Sequence, residues 1–587
     1  MKDSTVQKFA FCVAGTALTI AGPVSAQPAA GSAPAKAIPG LAVHLKPITD
    51  AEGRISTLDV ELGFETFEAA DPRRALRMPI IYANVVTSAN AMTQFEARDA
   101  NGPLRVTIED DPREPLWHYR NWGFDRRPTG PVTVRYRLAI SNELAPLGTA
   151  PPLELRNDSA ALSGMGTSFL TLPQGENSYR LSVDWDLSAL PAGSQAFSSF
   201  GEGRASLAEP APASRFAQTY FMAGKVSGYP SPAPAQGFFS VWQGQTGFDS
   251  RELMGWTETM FKEFSGFFRD PELPRYGVFM RRNQVNPGGG AAMPQSFVVT
   301  YDKGTDVPDL KLTLAHEMLH SWNIGLDTPA DTQAGWYTEG AAVVYARRLP
   351  LRFGLITPDD FLRDLNMFAG RYYTNALAST PNKDLPARYW EETRVRTLAY
   401  DRGSLYLNTV DDMIRKASRG ARSLDDAIFA MMERRRAHPI GPADWEAVLQ
   451  EQLGSGGKAA VKQFREMLAG GIVLPASDAF GPCFKRVQRP LRRYQLGFES
   501  KVLIEPERII RNLVPGSNAE RAGLLNGDRI LVPIGQDAIQ GDQDRQLTLQ
   551  IRRGGQNFPI TYLPRGETVM AYQWERIAGV PDQKCAL

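Results

Sequence analysis

The chain has 587 residues, with 65 Lys and Arg set against 64 Asp and Glu for a net charge of +1. That length holds several domains, each with its own core. So neutral a balance gives no electrostatic basis for binding nucleic acid or an anionic membrane.

Lys2 and Lys8 flank a short basic start broken by Asp3, residues 9–20 are apolar, and Val24-Ser25-Ala26 precede Gln27. The pattern predicts a secretory signal peptide over 1–26 and an Ala/Gly/Pro-rich linker over 27–39. Pro23 ends the apolar stretch too early for a membrane anchor. The protein is expected to be exported, periplasmic or secreted, with no integral membrane span in the mature chain. Cys12 would leave with the leader. Cys483 and Cys585 remain, an even pair suited either to a disulfide or to two buried thiols.

Residues 40–220 alternate apolar and polar side chains in short runs, such as 55–64, 104–109, 132–140 and 179–185, broken by Pro, Gly, Asn and Asp. The spacing predicts an antiparallel β-domain, a sandwich by its turn frequency.

The pattern changes over 221–480. Strands are expected at 276–280 and 297–301, and helices at 249–268, 309–323, 336–349, 358–368, 402–418, 423–435, 442–452 and 458–468. The second and third helical segments carry the most informative stretch of the chain. His316-Glu317-Met318-Leu319-His320 uses two of only five histidines, and after eighteen intervening residues comes Glu339 within Trp336-Tyr337-Thr338-Glu339-Gly340. On a helix, His316 and His320 stand one turn apart and point the same way. Two imidazoles and the Glu339 carboxylate can take three corners of a tetrahedron around Zn²⁺ and leave the fourth open to water. Glu317 shares that face and can act as general base. The chemistry is hydrolysis, with peptides or proteins as substrates. A non-catalytic peptide-binding protein is the rival from another class.

Residues 481–587 return to strands. Leu496-Gly497-Phe498, followed by Arg521-Ala522-Gly523-Leu524 and Gly527-Asp528, resembles a PDZ domain, whose φ-Gly-φ loop offers backbone N–H groups to a C-terminal carboxylate. Such a unit either captures a peptide's C-terminus or only packs against the catalytic part and shapes its cleft.

Taken together, HExxHxWN at 316–323, WxxEG at 336–340 and Tyr400-Asp401-Arg402-Gly403 resemble the glycyl-aminopeptidase family of gluzincin metallopeptidases. The resemblance implies a multidomain α+β protein: the N-terminal antiparallel β-domain, a thermolysin-like, mainly helical zinc peptidase domain over 221–480, and a C-terminal PDZ-like β domain over 481–587. It also implies that Tyr400 stabilises the tetrahedral intermediate, a role that a phenol aimed at an oxyanion can fill. Aminopeptidases of this kind hold the substrate's α-amine with an acid in a Gly-rich strand before the zinc helix. Here that stretch is Gly288-Gly289-Gly290-Ala291-Ala292-Met293-Pro294-Gln295-Ser296, without a carboxylate. Gly289, Gly290 and Ala291 suit close approach to a peptide backbone. The missing acid leaves an endopeptidase open beside the aminopeptidase, with Asp302 as a candidate substitute.

Overall fold

A computed structural model describes residues 37–586, apart from 70, 84, 113–116, 141–150, 271–274, 286, 323 and 324. The expected signal peptide and most of the expected linker lie outside the described residues, as does Asn323. Among the described residues no helix is long and apolar enough to cross a membrane.

The N-terminal part is built from strands. Gly40–Thr49 and Ile55–Phe64 form an antiparallel pair, and Ile55–Phe64 continues onto Val132–Ala139 and then Met92–Asp99. Alternate residues, Leu41, Val43 and Leu45 on the first strand and Leu58, Val60 and Leu62 on the second, are buried, as period-two patterning requires. One pairing departs from the antiparallel expectation: Gly40–Thr49 runs parallel to Ser178–Trp185. A parallel neighbour needs a long crossover, and the chain between these strands supplies it. Alternation identifies a strand but carries no information on its partner's direction. A second sheet, containing Gln195–Ser198 and Tyr220–Gly224, lays Phe197, Tyr220 and Met222 against Phe239, Val241, Phe279 and Val298 of the sheet that follows.

That next sheet consists of β1 (Val226–Tyr229), β2 (Gly237–Gln243), β3 (Arg275–Arg282), β4 (Gly290–Met293) and β5 (Ser296–Tyr301), in the order β1-β2-β3-β5-β4. The central strands β2, β3 and β5 are parallel and covered on both faces. Their sequences are accordingly near-continuous apolar runs. β4 is the edge, antiparallel to β5.

Helices α1 (Ser250–Phe267) and α2 (Val307–Leu319) pack on the other face, and α3 (Asp331–Arg352), α4 (Pro358–Tyr373), α5 (Leu398–Ser418), α6 (Leu424–Ala437), α7 (Pro442–Leu453) and α8 (Gly457–Leu468) build the helical part beyond them. Start signals are read directly from the side chains. Asp249 accepts from the N–H groups of Arg251 and Glu252, and Thr357 with Asp360 forms a capping box ahead of α4. Two helices start about a full turn earlier than their apolar patterns suggest. α3 begins at Asp331, and α5 at Leu398, which puts Tyr400 inside its first turn.

The C-terminal stretch does not separate cleanly at residue 481. β6 (Phe484–Tyr494) and β7 (Arg565–Arg576) form a long antiparallel ribbon whose base is in the helical core. Phe484 stacks on Phe361 at 5.3 Å and Trp574 packs edge-on to Phe480 at 4.8 Å. The Asn366 side chain on α4 pairs with the Trp574 backbone, donating to its carbonyl at 2.8 Å and accepting from its N–H at 2.7 Å. Cys483 and Cys585 are joined as a disulfide. Between the two strands lies a small unit with its own core of Leu496, Phe498, Val502, Ile510, Leu524, Ile530, Leu549 and Ile551. Its strands include Leu547–Arg553 and Gln556–Tyr562, and a one-turn helix, α9 (Asp537–Gly541), faces the helical part.

Candidate active site

Leu310, Leu314, Ala315 and Met318 bury one side of α2 and so turn His316, Glu317 and His320 toward the open edge of the sheet. α3 brings Glu339 to the same point. His316 Nε2 lies 3.2 Å from Glu339 Oε2, His320 Nε2 lies 3.5 Å from that oxygen, and the two imidazole nitrogens are 3.3 Å apart. These donors fit a metal closely. A tetrahedron with bonds of about 2.0–2.1 Å, the lengths Zn²⁺ takes with imidazole and carboxylate, has edges of about 3.3–3.4 Å. Two imidazoles among three donors also disfavour the hard, oxygen-seeking cations. It is the one His/Cys/Asp/Glu cluster of this kind among the described residues.

The electrostatics of the cluster are divided. Burial pushes the Glu317 carboxyl up, the imidazoles of His316 and His320 pull it back, and Glu339 adds to the rise. Burial acts on Glu339 in the same sense, yet the two histidines hold it ionised, far below the ordinary carboxylate range. Of two neighbouring carboxylates, one is held as an anion by the imidazoles and the other is made less acidic by its burial.

Tyr400 reaches the cluster because two helices nearly touch. A Cβ on Gly403 of α5 would sit 2.3 Å from the Trp336 carbonyl oxygen, and one on Gly340 of α3 would sit 2.7 Å from the Gly403 carbonyl carbon. Only glycine at both positions permits this crossing, which carries Glu339 and Tyr400 to the same side. The Tyr400 ring lies 5.8 Å from that of His316, nearly parallel to it. Burial, and then the charge of Glu339, keeps its phenol protonated far above the usual range. The other members of Tyr400-Asp401-Arg402-Gly403 are structural. Asp401 is fully buried and receives both arms of Arg371 at 2.6 and 2.9 Å. Arg402 donates to the Thr380 carbonyl at 2.7 Å and to Asn382 Oδ1 at 3.0 Å. Tyr389, which stands in no motif, has its hydroxyl beside that of Tyr400.

β4 walls the cleft. Gly289 is tied into the sheet: its carbonyl accepts from Thr300 N–H at 2.8 Å, and its N–H donates to Thr300 Oγ1 at 3.1 Å. Antiparallel pairing alternates. In this register Ala291 faces β5 while Gly290 and Ala292 present their backbone groups to the open edge. Of the expected contacts Gly289, Gly290 and Ala291, therefore, only Gly290 offers its main chain outward, and Ala292 joins it. A Cβ on Gly290 would lie 2.6 Å from Glu317 Oε1. Asp302 is held in its own turn, where its Oδ1 accepts from Gly304 N–H and Thr305 Oγ1.

Leu496, Gly497 and Phe498 belong to the small C-terminal unit rather than to this cluster. Leu496 and Phe498 are buried in that unit's core, with the Leu496 carbonyl accepting from Tyr562 Oη at 2.7 Å. Gly497 has φ +90°, and a Cβ there would meet that of Ala519 at 2.4 Å, so both conformation and space require glycine.

No family model matches the chain, and neither does any curated protein. Among solved structures it is similar to an aminopeptidase N family protein from Idiomarina loihiensis, at 14% identity and a TM-score of 0.62, over 93% of this chain and 99% of that one. At that identity the likeness is one of fold. More distant matches include an M1 zinc metallopeptidase from Deinococcus radiodurans, at 16% identity and a TM-score of 0.45 over 75% of this chain and 96% of that one. Another is yeast LTA4 hydrolase, at 14% identity and a TM-score of 0.45 over 74% and 69%.

Proposed function

We propose that the protein is a zinc metallopeptidase that hydrolyses peptide bonds, with His316, His320 and Glu339 holding Zn²⁺. The observation that carries this reading is the 3.2–3.5 Å triangle of donors flanked by Glu317 and Tyr400. When bound, the ion supplies Lewis-acid polarisation of the scissile carbonyl and acidifies the attacking water. A Glu317 carboxylate oxygen takes the proton that the water gives up and delivers it to the leaving amine nitrogen. Its place on α2 between the two histidines lets one side chain serve both halves of that transfer. The Tyr400 phenol, still protonated at neutral pH, donates a hydrogen bond to the developing oxyanion. Gly290 and Ala292 offer the open edge of β4, along which an extended peptide adds as a further strand.

Within this chemistry we place the protein with aminopeptidases of the glycyl type, on the motifs at 316–323, 336–340 and 400–403. A specific observation favours a second reading. The β4 region has no carboxylate and Asp302 is committed to its own turn, so an α-ammonium finds no anchor there, which suits an endopeptidase. Export is part of the proposal, supported by residues 1–26 and by the disulfide, a bond of oxidising compartments. The small C-terminal unit is read as PDZ-like, with Leu496-Gly497-Phe498 as the loop for a peptide's C-terminus.

Metal analysis and a mixed-peptide library assay test the whole. One zinc per chain with chelator-sensitive cleavage is expected, and Glu317→Gln should keep the zinc while losing at least about 100-fold in turnover. Cleavage by a zinc-free protein would refute the reading. Stepwise loss from free N-termini marks the aminopeptidase, and internal cuts indifferent to N-acetylation mark the endopeptidase.

A further inference from the structure

The small C-terminal unit touches the catalytic part through α9, and the contact is unusually polar. Both carboxylate oxygens of Asp537 accept from Arg396 Nη2, at 2.7 and 2.8 Å, and one also accepts from Thr393 Oγ1. Gln540 Nε2 donates to the same Thr393 hydroxyl at 2.9 Å. The Asp537 main-chain carbonyl accepts from Arg371 Nη1 at 3.3 Å, and Arg371 is the guanidinium that grips Asp401. Nearby, Ser500 donates to Glu392 Oε2 at 2.7 Å.

The residues engaged by α9 lie immediately ahead of the helix that carries Tyr400. Thr393–Arg396 is a helical turn that runs into α5. Backbone bonds connect them in steps of four: Thr397 N–H to the Thr393 carbonyl at 3.0 Å, then Asp401 N–H to the Thr397 carbonyl at 2.9 Å. Arg396 stands one helical turn before Tyr400, and Asp401 is the next residue after it. α9 therefore grips Tyr400 from both sides, through Arg396 and Thr393 ahead of it and through Arg371 and Asp401 behind it. Arg371, Arg396 and Asp401 are all at least nine-tenths buried, so losing a partner leaves a charge with little water to turn to.

We propose that Asp537 is a positioning residue for Tyr400, through which the small C-terminal unit sets the efficiency of the distant active site. The proposal rests on the oxyanion role given to Tyr400 above. Asp537 acts through Arg396, Thr393 and Arg371, none of which is a metal ligand. Its effect is to fix the first turn of α5, and with it the angle at which the phenol meets the cluster. An error of about an ångström in such a group costs on the order of 100-fold in rate, so partial loosening should cost a substantial fraction of turnover.

The test is a double-mutant cycle on the full-length zinc-loaded protein, using the tetrapeptide of a mixed library that the wild type cleaves fastest. Asp537→Asn is expected to lower kcat about tenfold with KM within twofold, while in a Tyr400→Phe background the same change should have no further effect. Arg396→Lys, which keeps the charge but loses the paired geometry, should behave alike, and Asp537→Glu should recover part of the rate. Hydrogen exchange gives a readout independent of peptidase activity: the amides of residues 393–402 should exchange faster in Asp537→Asn while those of α2 do not change. Wild-type kcat in Asp537→Asn, an equal loss in the Tyr400→Phe background, or unchanged exchange at 393–402 would each overturn the proposal. If Tyr400→Phe alone kept full turnover, the oxyanion role would fall, and the exchange data would still judge the grip on α5.

Discussion

The sharpest consequence of the site's geometry concerns Gly290, which bears no side chain and so escapes any search for reactive groups. Its position on β4 points at the carboxylate of Glu317, and an added methyl would meet Oε1 at 2.6 Å, the side-chain carbonyl carbon at 2.7 Å and Cγ at 2.7 Å. Ordinary contact begins near 3.4 Å. Three atoms of one side chain are crowded together, so Glu317 must swing away as a unit rather than turn one oxygen aside. The retreat is about 0.8 Å, and since misplacement of a reacting group by about 1 Å costs on the order of 100-fold, Gly290→Ala should lose roughly 10- to 100-fold in kcat. The ligands to the metal are untouched, so zinc content should stay at that of the wild type. The backbone at 290 lies in the ordinary extended region, and the melting temperature should change little. The assay is steady-state cleavage of a library-selected tetrapeptide, with metal content and thermal melting measured on the same preparation. Full kcat with zinc retained would show that Glu317 does not work from the position it occupies here. Loss of zinc would show that Gly290 matters to α2 itself rather than to the base.

Gly403→Ala should separate α3 from α5, because the new methyl faces the Trp336 carbonyl oxygen at 2.3 Å and a helix backbone cannot step aside alone. The expected cost is about 1–3 kcal/mol in denaturant unfolding, together with weaker zinc binding as Glu339 shifts. Asp411 is fully buried between Arg348, at 2.9 Å, and Arg415, at 2.8 Å, and also accepts from Leu424 N–H. Although burial opposes its charge, those arginines hold its carboxyl below the ordinary value of 3.8. Its stabilisation is thus complete above that value and is lost as pH falls through the lower folded one. Asp411→Asn should cost about 3–5 kcal/mol at pH 7 by stranding Arg348, and should flatten the acid end of a stability-versus-pH curve; an unchanged slope there would count against the pairing. Zinc added to stripped protein should raise the melting temperature, by about 2.7 kcal/mol of stability at a hundredfold excess over Kd. His316→Ala should abolish that shift.

Much of the site is legible from spacing alone. His316, Glu317 and His320 declare themselves by helical period, and the eighteen residues to Glu339 give α3 room to return. What spacing does not contain is the approach of one helix to another. Gly340 and Gly403 stand in the motifs at 336–340 and 400–403, but only the α3–α5 crossing shows that each faces a backbone. The start of α5 was obscure for a related reason: Thr393–Arg396 and the first turn are fastened by side chains from α9, more than a hundred residues later. In the same way, alternation located the N-terminal strands but not the parallel pairing of Gly40–Thr49 with Ser178–Trp185. Direction depends on the route of the intervening chain, and no local pattern encodes that.

The ribbon of β6 and β7 makes the small C-terminal unit an insertion at the tip of a hairpin rather than a bead on a string. The chain leaves at Tyr494 and comes back at Arg565, two residues paired with each other, and both legs return to the helical core. A body held by two adjacent strands cannot swivel as one held by a single linker does, so its orientation toward the Tyr400 helix is inherited from the sheet. It follows that closing residues 494 and 565 with a short turn would remove the unit and its hold on Arg396 and Arg371 but leave the ribbon's base in place, whereas ending the chain near residue 480 would also remove Trp574 and Cys585 from the core it leaves behind.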